Sequence, residues 1–167
     1  MPPGGSAGIA FARGFPYDSG MSLLSDTERG IVAARLRSLP HPVRLRFFTQ
    51  TFGCETCADT RRILDELTSI SPSVTSEEIN LVLDREGAAA LGVDRAPAIL
   101  LARGNEDGSE WMPGVRFYGI PAGYAFMSLL EAIELVASGD SGLSDESREI
   151  VATVASPMRI QVFSTPT

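Results

Sequence analysis

Residues 51–67 read TFGCETCADTRRILDEL, and the architecture of the chain turns on them. They include both cysteines of the chain, Cys54 and Cys57, separated by Glu55 and Thr56. Upstream, VRLRFFTQ (43–50) alternates, with Val43, Leu45 and Phe47 on one face, which predicts a strand. Downstream, Ile63, Leu64, Leu67 and Ile70 recur at helical spacing, with Pro72 just beyond them. A helix therefore runs from Cys54 or Cys57 to about Ile70, and the cysteine pair stands where the strand hands over to it.

That position has chemical consequences. A helix N-terminus offers unpaired N–H groups and a partial positive charge, both of which favour a thiolate. Helix N-termini and Cys-X-X-Cys spacings lower a cysteine pKa to roughly 3.5–7.5. The thiolate is the attacking species in disulfide exchange, so Cys54 is the candidate nucleophile and Cys57 the candidate resolving thiol. Two other readings stand beside this one. Half of a zinc site needs further ligands, and the chain has no other Cys and a single histidine, His41, between two prolines. Two unrelated buried thiols are the other.

Towards the N-terminus, SLLSDTERGIVAARLRSLP opens with a Ser25/Glu28 capping-box pattern and an apolar stripe of Ile31, Val32, Leu36 and Leu39, which predicts a helix. Beyond the redox stretch, 77–83 reads as a strand, 85–93 as a short helix and 97–102 as a central strand. Residues 104–110 read as a polar turn, 114–119 as a strand closing a hairpin, and 122–138 as an amphipathic helix ending at Gly139. The first two strands, joined through a helix, should run parallel and the last two form an antiparallel hairpin, so the expected fold is α/β: a mixed four-stranded sheet flanked by helices, with an extra helix at the front.

Residues 143–151 repeat the opening. Leu24, Ser25, Asp26, Arg29, Ile31 and Val32 recur in register as Leu143, Ser144, Asp145, Arg148, Ile150 and Val151, and PVRLRFFTQT recurs as PMRIQVFSTPT. The reading is three segments: a disordered stretch over 1–20, a redox domain over 21–139 that opens at Met21, and residues 140–167 as linker, helix and first strand of a second copy. In register, a second cysteine pair falls just after Thr167. A fragment, a frameshift, or a UGA codon for selenocysteine read as a stop each account for that.

The chain is 44% hydrophobic and 21% charged, with net charge -7 and a pI near 4.7. That supports a packed core and argues against a nucleic-acid or anionic membrane partner. Residues 1–20 lack the apolar run of an export signal, so a cytoplasmic setting is expected, where thiols stay reduced.

The strand–Cys-X-X-Cys–helix unit, followed about forty residues later by RAPAIL, resembles the thioredoxin-like superfamily. The resemblance implies a cis-proline at Pro97, with Ala96 and Pro97 holding the substrate backbone. FTQTFGCETC, GVDRAPAILL and VRFYGIPAGYAF are similar to the N-terminal unit of the tandem protein disulfide oxidoreductases, or glutaredoxin-like domain proteins. That family implies exchange with protein disulfides and electrons from a flavin-dependent thioredoxin reductase, with no cofactor or metal on this chain itself. A docking module without catalysis and an electron relay to a peroxidase are the alternatives. The motif departs from thioredoxin at three places. Gly53 stands where a tryptophan precedes the first cysteine. Phe48 replaces a buried acid. Glu55–Thr56 replaces Gly-Pro, and Glu55 raises the Cys54 pKa if the two lie close. The remaining features read as ordinary structure: Arg61 and Arg62 as a solvated helix face, Trp111 and Phe117 as hairpin packing.

Overall fold

The computed structural model describes residues 23–164. The expected disorder over 1–20 and the start at Met21 lie outside the described residues. The chain order is α1 (Asp26–Leu36), β1 (Val43–Thr49), α2 (Cys57–Ile70), β2 (Val74–Asn80), α3 (Arg85–Ala90), β3 (Ala98–Gly104), β4 (Glu110–Trp111), β5 (Arg116–Tyr118), α4 (Tyr124–Ser138) and α5 (Asp145–Ala152).

β1 is central. It pairs parallel with β2, Val43 opposite Val74, and antiparallel with β3, Phe48 opposite Ala98. β3 in turn pairs antiparallel with both β4 and β5. The sheet is mixed, as the connections require, but it has five strands because the two-residue β4 forms where the sequence predicted only a turn. The turn's polar residues bond one another across it, the Asn105 amide to the Ser109 carbonyl at 2.8 Å and the Ser109 amide to Asp107 at 2.9 Å. That closure aligns Glu110 and Trp111 with Gly104 and Arg103.

The alternation in β1 sends its side chains to two cores. Val43, Leu45 and Phe47 join Val32 and Leu36 of α1, Ile63, Leu64 and Leu67 of α2, and Leu129, Leu130 and Ile133 of α4. Phe48 faces the other way, into a smaller cluster with Ala88 of α3, Val93, Ala98 and Leu100. Three helices therefore cover one face and α3 covers part of the other.

Two predicted elements are displaced. The second strand is Val74–Asn80, three residues earlier than 77–83. Its place is set by pairing with β1 and by burial of Val74, whereas Val82 and Leu83 are 68% and 85% exposed. Asn80 ends the strand, its side-chain oxygen accepting from the amides of Val82 and Leu83. The helix expected over 85–93 stops at Ala90, because Gly92 takes a left-handed φ of 69°.

The front helix carries the expected capping box, Ser25 accepting from the Glu28 amide and Glu28 from the Ser25 amide. α5 starts at the matching position of the repeat, with Ser144 as its cap and nearly the same cap geometry as Ser25. None of its residues is buried. Residues 157–164 form no strand, since no described strand pairs with them. No helix among the described residues is long and apolar enough to cross a membrane.

Candidate active site

The loop from Gln50 to Thr56 joins β1 to α2; Cys54 lies in it and Cys57 directly follows it. Helix α2 begins at Cys57, so Cys54 lies one turn ahead of the first helical residue. Gly53 makes the approach possible, with φ at 72°, a region that side chains with a Cβ rarely adopt. The helix start is held from inside. Thr60 is fully buried, and both its amide and its hydroxyl donate to the Thr56 carbonyl, at 2.9 and 2.8 Å. Thr56 itself offers no side-chain cap.

Cys54 and Cys57 form a disulfide with a Cα–Cα distance of 5.5 Å. Their exposures differ. Cys57 is 6% exposed and belongs to the main core, while Cys54 is half-buried and packs on its edge. Ala96 packs on the edge of that same core, and the Ala96–Pro97 bond is cis. Pro97 is buried, and its carbonyl accepts from the Gly119 amide at 3.0 Å. Ala96 makes no backbone hydrogen bond among the described residues.

Cys57 thus lies within the main core, and Cys54 and Ala96, about forty residues apart in sequence, both pack against it. Glu55 points to solvent without a hydrogen bond or ion pair among the described residues. Phe48 fills the opposite-face cluster, so no charged group occupies that position. Two neighbours escaped the sequence reading. Phe52, 87% exposed, precedes Gly53, and its place beside the motif was the available signal. Gln50 lies against Gly53, where a Cβ would stand 3.5 Å from the Gln50 amide nitrogen; only folding reveals that contact.

The residues read as ordinary are accounted for. Arg61 pairs with Glu78, and Arg62 with Asp59 at 4.0 Å. Arg103 lies over the Trp111 ring, 4.9 Å from its centre. No group of three or more His, Cys, Asp or Glu able to hold a metal occurs among the described residues.

No protein-family model matches the chain, and no curated protein does. Solved structures do match. A protein disulfide oxidoreductase from Aeropyrum pernix is 26% identical over 77% of this chain and 54% of its own, with a TM-score of 0.65. The alkylhydroperoxide reductase AhpF from Enterococcus faecalis is 22% identical over 78% of this chain and 60% of its own, with a TM-score of 0.67. The NTD N/C domain of the same reductase gives 22% identity and a TM-score of 0.66, over 75% of this chain and 58% of that one. The chain spans little more than half the length of these proteins. Its fold is thioredoxin-like, and it carries a close Cys-X-X-Cys pair. In fold and motif together it resembles the protein disulfide oxidoreductases.

Proposed function

We propose that this protein is a thiol–disulfide oxidoreductase acting on disulfides of other proteins. One observation carries the reading: the Cys54–Cys57 disulfide stands at the head of α2 with its first sulfur half-buried at the core's edge and its second buried. In the reduced protein the Cys54 thiolate, favoured by the positive end of α2, attacks one sulfur of the substrate disulfide. A Cys54–substrate S–S bond forms, the substrate's own S–S bond breaks, and the departing thiolate takes a proton. The Cys57 thiol then gives up its proton and attacks the Cys54 sulfur. The pair closes, and the second substrate thiolate leaves and is protonated. Two electrons have passed from the cysteine pair to the substrate disulfide; the same steps reversed oxidise a dithiol.

Ala96 and Pro97 hold the substrate backbone in this reading. Pro97 has no N–H, and its carbonyl is already taken by Gly119. Ala96 is left as the residue with which an extended substrate segment pairs, a form of strand addition. Gly53, Glu55 and Thr56 modulate the pair, Gly53 through its backbone, Glu55 by adding negative charge and Thr56 as the residue preceding α2. Electrons come from a flavoenzyme of the thioredoxin reductase type, which the sequence resemblance supports, and the cytoplasm suits a pair that must be kept reducible. The matched serine caps of α1 and α5 support reading 140–167 as the opening of a second unit.

The test is reduction of insulin by dithiothreitol with catalytic protein added. The parent accelerates it, Cys54→Ser falls to background, and Cys57→Ser accumulates a mixed disulfide with insulin. Equal rates for Cys54→Ser and parent would leave a docking module without catalysis. Fast oxidation of the pair by a peroxidase, with slow insulin turnover, would leave the relay.

A further inference from the structure

Beside the cysteine loop lies an open cleft of about 640 Å³, lined in part by Gln50, Leu81, Val82, Arg85, Asp94 and Arg159. Two of its lining residues neighbour the redox site along the chain. Gln50 is the residue packed against Gly53, and Asp94 lies two residues before Ala96. Its volume falls in the range of sites that take small ligands or a few residues of a chain.

The charge of this cleft runs against the rest of the molecule. The chain carries a net charge of -7, yet two guanidinium groups meet here. Eight described arginines hold ion pairs. Arg85 and Arg159 hold neither an ion pair nor a hydrogen bond among the described residues, so their donors are free to a ligand. Asp94, the acid in the lining, is already held by Arg95 through two bonds of 2.8 and 3.0 Å. That bond with Arg95, more than the charge of Arg159, keeps the Asp94 carboxyl below the usual carboxylate range. Asp94 is therefore ionised but matched, and the two free arginines set the sign of the cleft. A guanidinium fork fits a carboxylate in two-point geometry. Val82 beside them is exposed and apolar, a surface for the methylene stem of a Glu or Asp.

We propose that this cleft is a subsite for an acidic side chain of the substrate protein, an Asp or Glu near the disulfide that Cys54 attacks, held by Arg85 and Arg159. The inference rests on the exchange reading above and adds a substrate class to it: disulfides flanked by acidic residues. A segment of the substrate fits better than a free small anion, because the cleft is open and Gln50 of the cysteine loop forms part of its lining.

Binding and exchange are measured separately. The binding probe is a pair of short peptides with serines in place of cysteines, one flanked by Asp and Glu, the other by Asn and Gln. At low salt the acidic peptide should bind the oxidised full chain about five-fold more tightly, the size expected of two exposed ion pairs. The gap should close in high salt and in the Arg85→Gln/Arg159→Gln double variant. Equal binding of the two peptides, or a preference that survives the double variant, overturns the proposal. The second arm uses the same peptides with an internal disulfide and compares exchange rates as a ratio, so a variant that folds less well still reports. A binding preference without any exchange sinks the redox reading and leaves the cleft standing. Fast exchange with no preference in binding or rate does the reverse.

Discussion

Glu66 ties the front of the chain to α2 by polar contacts, beside the apolar ones that α1 makes with the core. It lies on α2, and its carboxylate accepts from the Leu23 amide at 2.6 Å, the Leu24 amide at 3.3 Å and Arg29 at 2.9 Å. Its side chain is 10% exposed. Glu66→Ala therefore strips an acceptor from two amides and a guanidinium at once. A hydrogen bond to a charged group contributes about 1.5–3 kcal/mol, and the Leu23 bond is of that kind. The longer Leu24 bond contributes less, and the pair with half-exposed Arg29 adds about 0.2–1 kcal/mol. The loss should be about 2–4 kcal/mol. Glu66→Gln keeps one carbonyl oxygen, hence one amide bond, and should lose about half as much. Urea unfolding reads the difference: with a slope near 2 kcal/mol per molar, the midpoint of Glu66→Ala should fall by about 1–2 M at unchanged slope. A cycle with Arg29→Ala should return a coupling energy from the shared contact. A midpoint shift below about 0.3 M, or no coupling with Arg29, would mean that the Glu66 contacts do not help to hold the front of the chain on α2.

Other expectations follow from single contacts. Gly53→Ala should cost about 1 kcal/mol, because φ is 72° there while the added Cβ meets nothing closer than 3.5 Å. Gly53→Asn should cost less, since Asn tolerates that region; equal midpoints for all three proteins would remove the backbone argument. Leu129, fully buried on α4, should lose about 3 kcal/mol on replacement by Ala, while exposed Leu135 on the same helix should lose under about 0.5 kcal/mol. Chemical unfolding of the two variants checks this, and similar losses would contradict the packing assigned to α4. The Asp94 carboxyl is depressed chiefly by its bond to Arg95, so its stabilising share is present above the unfolded carboxylate pKa of about 3.9 and fades as pH falls below it. The melting temperature of Asp94→Asn should lie below that of the parent near neutrality and converge with it toward pH 3; a gap that widens in acid has the wrong sign.

Most of the fold was legible because period and pairing agree along the chain. Val43, Leu45 and Phe47 alternate and are buried together, and Ile63, Leu64 and Leu67 repeat at helical spacing and are buried with them. What misled was local apolarity without a neighbour. Leu81–Val82–Leu83 reads as strand, but β1 offers its ladder a few residues earlier, opposite Val74. Conversely, β4 consists of Glu110 and Trp111, too short to have a period at all. Residues 158–163 have a strand's composition and no strand's partner, so they form none.

The site divides along the same line. The cysteine pair, its place at a strand-to-helix join, and a proline that resembles its counterpart in thioredoxins could all be read directly, because each is written in contiguous residues. Folding was needed to establish that α2 starts at Cys57 and not Cys54, and that Cys57 is the buried sulfur. Folding also packed Ala96 against the core that holds Cys57, and brought Arg85 and Arg159 to one cleft. Those facts depend on which residues the sheet and its helices carry past one another. Burial and proximity across such distances are properties of the packed chain, not of any window along it.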